Sequence, residues 1–176
     1  VDWAIYRKKH LLILTTRADP PSFELSRKVV AVLLRELPEG MAQVSRAPHK
    51  ARIASPLSSK QMDIALMRPD DAAALREGKA PYGEYGPMPL MTLLGIEDFP
   101  LICRDDFASV HAWLIAEALS AADSGLTIRP ERAARLVAPD PRLPLHYGAV
   151  AYFSGGPEPS ELASDRSHEG EDADEH

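Results

Sequence analysis

With one cysteine in 176 residues, Cys103, the chain has no intrachain disulfide and no zinc site built on several thiolates. Cys103 sits in the apolar run Phe99-Pro100-Leu101-Ile102-Cys103, where a buried small hydrophobe is expected and a nucleophile is not. A disulfide-free chain suits the cytosol and the periplasm equally. No apolar run reaches the roughly 18 residues of a membrane span. The six histidines include no pair at His-x-x-x-His spacing and no helical zinc motif. Gly-x-Ser-x-Gly, the phosphate-binding Gly-x-x-x-x-Gly-Lys and Gly-x-Gly-x-x-Gly are all missing. No constellation therefore supports catalysis, and no cofactor is implied. There is no basic stripe and no aromatic-basic interleaving along the body of the chain, so nucleic acid is not an expected partner.

What is present is an ordinary globular composition, 45% apolar and 26% charged, on a length that suits one domain with a real core. The net charge of -6 is unevenly placed. Residues 161–176 hold seven acids and one base, while the preceding 160 residues hold 19 of each. Residues 157–176 are expected to be a disordered acidic tail, serving solubility or docking on a basic partner. At the other end Trp3, Tyr6 and Arg7-Lys8-Lys9 resemble the segment just outside a membrane span, so residues 1–10 read as juxtamembrane-like. A removed signal peptide or an anchor upstream of Val1 is expected from this. The same bases by themselves favour a cytoplasmic flank, which leaves the membrane side open.

The clearest local pattern is Gln61-Met62-Asp63-Ile64-Ala65-Leu66-Met67-Arg68-Pro69-Asp70-Asp71-Ala72. A polar approach, a short apolar burst and a charged exit describe a buried strand ending at a ligand-facing edge. Leu11 to Thr16 predicts a central strand buried on both faces. Ser22 is the expected N-cap of a helix over 23–37, whose stripe Leu25, Val29, Val32, Leu33 and Leu37 is widened by Val30 and Leu34. Met41 to Ser45 reads as a second strand, and 47–60 as a turn bracketed by Pro48 and Pro56. Pro69 fits the first turn of a helix over 70–77, which Gly78 stops. Residues 79–89 read as a loop, and Leu90 to Gly95 and Phe99 to Cys103 as strands. Asp105 and Asp106 are the expected caps of a helix over 107–122, with a further helix over 128–137.

Strand and helix alternate three times, which predicts an α/β domain over 11–156 with a mainly parallel sheet. Ligands of such sheets sit beyond the carboxyl ends of the strands, at helix N-termini. That rule selects the loops Thr15 to Ser22 and Met67 to Asp71. Other polar clusters have structural readings. His49 with Arg46, Lys50 and Arg52 is a solvated basic loop or an anion patch. His111, beside Trp113, is expected to be structural, and His146 to be a hydrogen-bonded loop histidine or to line a site. Asp70-Asp71 and Asp105-Asp106 serve helix starts. Pro81 to Pro87 is a rigid connector or an aromatic pocket wall.

Three blocks in order carry a family resemblance. Met62 to Ala74 is similar to a strand-loop-helix that typically reads Asp-Leu-Ala-Leu-Val and then a polar loop. Gly86-Pro87-Met88-Pro89-Leu90-Met91-Thr92-Leu93 is similar to a following Gly-Pro-Leu-Pro-Leu segment. Pro144-Leu145-His146-Tyr147-Gly148-Ala149-Val150-Ala151-Tyr152-Phe153 is similar to a closing Pro-Leu-His-Pro-Gly-Ala-x-x-Tyr-Tyr. In these blocks the chain resembles the TAXI-type solute receptors of TRAP transporters, which have the type II periplasmic-binding-protein fold. It departs from them in two ways. Thr15 to Phe23 lacks the glycines that bring backbone close to a ligand. The family is also about twice as large, in two lobes around a cleft. Here Phe99 to Asp106 runs straight from first-lobe strands into a first-lobe helix.

The resemblance implies a single-lobe, three-layer, mainly parallel α/β sheet like one domain of a type II binding protein. It implies a non-catalytic, receptor-like binding module in the periplasm or tethered outside the cytoplasm. The ligand the resemblance suggests is a small organic acid or amino acid; the two loops selected above offer Thr15, Thr16 and Ser22 from the first and Arg68 from the second to hold it, with Arg68 gripping a carboxylate in bidentate fashion. A surface ion pair of Arg68 with Asp70 or Asp71 is the competing reading. The alternative function is a protein-interaction or accessory subunit that has lost solute binding and docks on a membrane transporter or another protein.

Overall fold

A computed structural model of the chain describes residues 2–129 and 138–160. In chain order the elements are α1 (Tyr6–Lys9), β1 (Leu12–Thr16), α2 (Pro20–Glu36), β2 (Gln43–Ala47), α3 (Ala54–Ser58), β3 (Ile64–Leu66), α4 (Pro69–Glu77), β4 (Leu90–Ile96), β5 (Phe99–Arg104), α5 (Ser109–Ser120), β6 (Ile128–Arg129) and α6 (Tyr147–Phe153). The chain is an α/β protein with an open mixed sheet flanked by helices, in the strand order β2-β1-β3-β5-β4-β6.

The expected parallel character holds for one half of the sheet. β1 runs parallel to both β2 and β3. The other half is antiparallel, β5 against β3 and β4, and β4 against β6. The reason is local. Only Glu97 and Asp98 separate β4 from β5, and so short a link joins neighbours only when they are antiparallel.

Side chains alternate between two apolar clusters, one on each face. Ile13, Ile64, Leu66, Leu101 and Cys103 point to the cluster with α2 and α5. Their neighbours Leu14, Ala65 and Ile102 point to the cluster with Leu57, Leu75 and Tyr82. This period of two explains why the central strands read as unbroken apolar runs: both faces are covered. Trp3 and Tyr6 belong to the first cluster. Residues 2–10 therefore pack as part of the α/β unit, with the two aromatic rings of the N-terminal cluster turned inward.

Several boundaries differ from expectation. α2 starts at Pro20, and Asp19, not Ser22, precedes it. Proline carries a preset φ and no N–H, so Pro20 and Pro21 form a first turn, where a loop is expected from their composition. α5 starts at Ser109, after Ala108, and Asp105 and Asp106 do not cap it. β3 is confined to Ile64–Leu66 of the apolar burst, and 47–60 holds a 3-10 turn (Lys50–Ile53) followed by α3. α4 covers Pro69–Glu77, with Pro69 in its first turn and Gly78 capping its end as expected, in the left-handed region at φ 69°. A Cβ there would press on the backbone of Gly86 and Pro87. Of the helix expected over 128–137, Ile128 and Arg129 instead pair with β4, and 130–137 lie outside the described residues. Of the acidic tail, 161–176 also lie outside them.

A single buried threonine, Thr92, ties the start of the last block, 144–153, to β4. Thr92 N–H donates to the Pro144 carbonyl (2.7 Å), its carbonyl accepts from His146 N–H (2.8 Å), and its hydroxyl donates to the Leu143 carbonyl (2.8 Å). A β-bulge between Thr92 and Leu94 marks this stretch of β4. Among the described residues no helix is long and apolar enough to cross a membrane.

Candidate functional site

The carboxyl ends of β1 and β3 lie side by side, and the starts of α2 and α4 follow directly from them. This edge gathers the four residues selected from sequence. Thr15 and Ser22 are fully buried, and their hydroxyls meet at 3.1 Å. Ser22 donates its one proton to the Asp19 carbonyl (2.9 Å), so Thr15 donates to Ser22. The Thr16 hydroxyl accepts the Ala18 N–H (3.1 Å), closing the loop on itself. Arg68 donates to Asp19 Oδ1 at 2.9 Å and lays its guanidinium over the Phe99 ring, 5.3 Å from the centroid.

Arg68 is therefore in an ion pair, but with Asp19 and not with Asp70 or Asp71 as expected. Asp70 pairs with Arg142 at 2.9 Å, and Asp71 pairs with Lys50 at 3.1 Å while accepting the Tyr82 hydroxyl proton at 3.1 Å. Asp19, 49 residues from Arg68, carried no local signal. Its carboxylate is 9% exposed and the Arg68 side chain 50%, so the pair closes the edge from the solvent side.

The helix N-termini add little for an anion. Pro20 and Pro21 remove two N–H donors from the first turn of α2. Asp70 and Asp71 place negative charge in the first turn of α4, where it offsets the positive end of the helix dipole. The basic loop does not converge on an anion either, because Lys50 turns to Asp71 and Arg46 lies over Phe23. The aromatic-wall reading of 81–87 is likewise closed at Tyr82, which is fully buried. Burial foremost, and then Asp71, raises the Tyr82 phenol well above its usual pKa.

Cys103 is fully buried, and burial holds its thiol well above the usual pKa, as for an inert core residue. His111 stacks on Trp3 with ring centroids 4.3 Å apart, and its Nε2 lies 2.9 Å from the Asp2 carbonyl. Among the described residues no three His, Cys, Asp or Glu side chains group to hold a metal ion.

His146 is the residue before α6 and is fully buried. Its Nδ1 accepts the Gly148 N–H at 3.1 Å, so the ring proton is on Nε2, which makes no hydrogen bond of good geometry. Burial lowers its pKa below 6.5. The carbonyls of Asp105 and Phe107 and the charges of Asp105 and Asp106 act in the opposite direction without cancelling it. The sign follows from proton counting. Below the unfolded value the unfolded chain binds the proton and the folded one does not, so stability falls as pH drops through 6.5 toward the folded pKa. His146→Asn keeps a capping acceptor and removes the titration. Urea midpoints measured between about pH 7 and pH 5 should fall more steeply for wild type than for this variant. Equal slopes would assign the pH dependence elsewhere.

No protein-family model, curated protein or solved structure matches the chain. Fold and site together describe an α/β module whose strand-edge polar side chains are bonded to one another.

Proposed function

We propose that the chain is a non-catalytic binding module, built like one lobe of a TAXI-type solute receptor, that engages another protein and not a small solute. The observation that carries this reading is the internal pairing of the strand edge. Thr15, Thr16 and Ser22 bond within the loop, and Arg68 is held by Asp19. An organic anion would have to break the Arg68–Asp19 pair, strand a largely buried carboxylate and find few free N–H donors. The direct turn from β4 into β5, and from β5 into the loop before α5, supports the single-lobe part of the reading, since no second lobe interrupts it. A single lobe offers a surface, and closure over a solute takes a hinged second lobe.

The test is a thermal-shift panel of organic acids and amino acids on the wild-type chain and Arg68→Ala. A ligand at about 100 times its Kd stabilises by about 2.7 kcal/mol, a shift of a few degrees at this size. The expected result is no saturable shift. Arg68→Ala itself should lower stability by about 1–3 kcal/mol, because it leaves the largely buried Asp19 carboxylate without its cation. A saturable rise that disappears in Arg68→Ala would replace this reading with solute binding.

A further inference from the structure

α2 carries more apolar surface than the sheet covers. Leu25, Val29, Val32 and Leu33 face the core. Phe23, Val30, Ala31 and Leu34 lie on the flank beyond it and, with Val44 of β2, line a groove of about 630 Å³. Leu34 is 47% exposed. β2 is an edge strand, with no further strand beyond it among the described residues.

The backbone of β2 fixes what this edge offers. Gln43 N–H donates to the Leu11 carbonyl, and the Ala47 carbonyl accepts from Arg17 N–H. In a parallel ladder alternate residues bond the neighbour, so Gln43, Ser45 and Ala47 face β1. The N–H and carbonyl groups of Val44 and Arg46 therefore point outward, ready to pair with an added strand. The side chains of the same two residues line the groove under α2. A strand laid against β2 would thus place alternate side chains in that groove.

Charge selects the occupant. Arg27 and Arg46 flank Phe23, at 5.9 and 5.0 Å from its ring centroid. Arg46 has no carboxylate partner among the described residues, and Arg27 meets only Glu24 at 3.5 Å, both 63% exposed. A second copy paired edge to edge would crowd four arginines along one seam, so self-association is disfavoured. The chain's own acidic end, 161–176, has Leu162 as its one large apolar residue, too little to fill an apolar groove.

We propose that the β2 edge and the flank of α2 form a docking site for an extended segment of another protein, whose groove-facing alternate residues are apolar along α2 and carboxylates where they meet Arg27 and Arg46. This rests on the interaction-module reading and gives that module its partner chemistry.

The test is fluorescence anisotropy of the full chain with a labelled extended peptide of about ten residues whose alternate, groove-facing positions carry Val or Ile together with Asp or Glu, the positions between them being Ser or Thr, and with its Lys-for-acid counterpart. Leu34 and Arg46 are exposed, so Leu34→Glu and Arg46→Glu should fold, which circular dichroism checks. The expected result is saturable binding of the acidic peptide, weakened at least about ten-fold by either substitution, with Arg46→Glu gaining affinity for the Lys peptide. No binding of the acidic peptide, or binding indifferent to both substitutions, would overturn the site. A negative result here alongside a flat solute panel removes the site and leaves the interaction-module reading in place. A solute shift lost in Arg68→Ala removes that reading by itself.

Discussion

Arg104→Ala is expected to lower stability by about 2–4 kcal/mol, the largest effect of any single substitution considered. Arg104 ends β5 and is 8% exposed. Its Nη1 donates to the Leu57 carbonyl at 2.6 Å, tying the sheet to α3. Nε and Nη2 grip both oxygens of Asp106 at 2.9 and 3.2 Å. Truncation leaves the Leu57 carbonyl without its donor and Asp106 with Lys60 as its remaining cation, at 3.2 Å. It also removes the aliphatic stem of a largely buried side chain. Burial acts to raise the Asp106 pKa, but hydrogen bonds from Arg104 and Lys60 prevail and hold it below the usual carboxylate value. Its contribution is therefore present above the unfolded pKa of 3.8 and lost as pH falls through the folded one. Urea denaturation at neutral pH measures the loss. A change within about 0.5 kcal/mol, the range of an ordinary surface site, would show that this clamp does not hold α3 to the sheet.

Gly148→Ala is expected to destabilise by about 1–3 kcal/mol, against a helix propensity that alone favours alanine by about 1 kcal/mol. Gly148 lies in the first turn of α6, against α5. An added Cβ would press on the Ser109 carbonyl oxygen and the Ala112 Cβ, both on α5. A backbone carbonyl within a helix cannot swing aside as a side-chain tip can, so α6 must move off. The contacts that would loosen are the His146 cap and the Trp113–Tyr152 ring pair at 5.5 Å. Thermal unfolding of the variant decides the sign. A raised Tm would mean that α6 does not seat on α5 at this glycine.

What was legible in the sequence was what is local. The apolar runs of β1 and β5, the proline start of α4 and its Gly78 stop are each written within a few residues, and the structure has them where expected. Strand direction was not legible at β5, because Glu97 takes a left-handed φ of 53° without the glycine or asparagine that usually marks such a turn. Asp105-Asp106 resembled a capping pair by position, yet the side chain of Asp106 is held by Arg104, two residues before it.

The candidate site follows the same division. Thr15, Thr16, Ser22 and Arg68 were correctly drawn to one sheet edge by the rule that loops follow parallel strands. That they are already bonded depends on Asp19, whose meeting with Arg68 is a product of the β1–β3 pairing. Val30 and Leu34 read as a wider buried stripe. Val30 does pack, partly buried, against the core, whereas Leu34 stays exposed because the sheet stops at β2, and no local pattern encodes which strand lies at the edge. In the closing block His146 read as a hydrogen-bonded loop histidine or as lining a site. In the fold Gly148 is a close approach between helices, and His146 is a cap.

The most direct test of a closed strand edge and an open β2 flank is amide NMR of the chain, titrated first with a mixture of organic acids and then with the acidic apolar peptide. The expected result is that Thr15, Thr16, Ser22 and Arg68 stay fixed through the acids, while Val44, Arg46 and Leu34 move saturably with the peptide. Saturable shifts at the first four residues with an organic acid, and silence at β2 with the peptide, would contradict it.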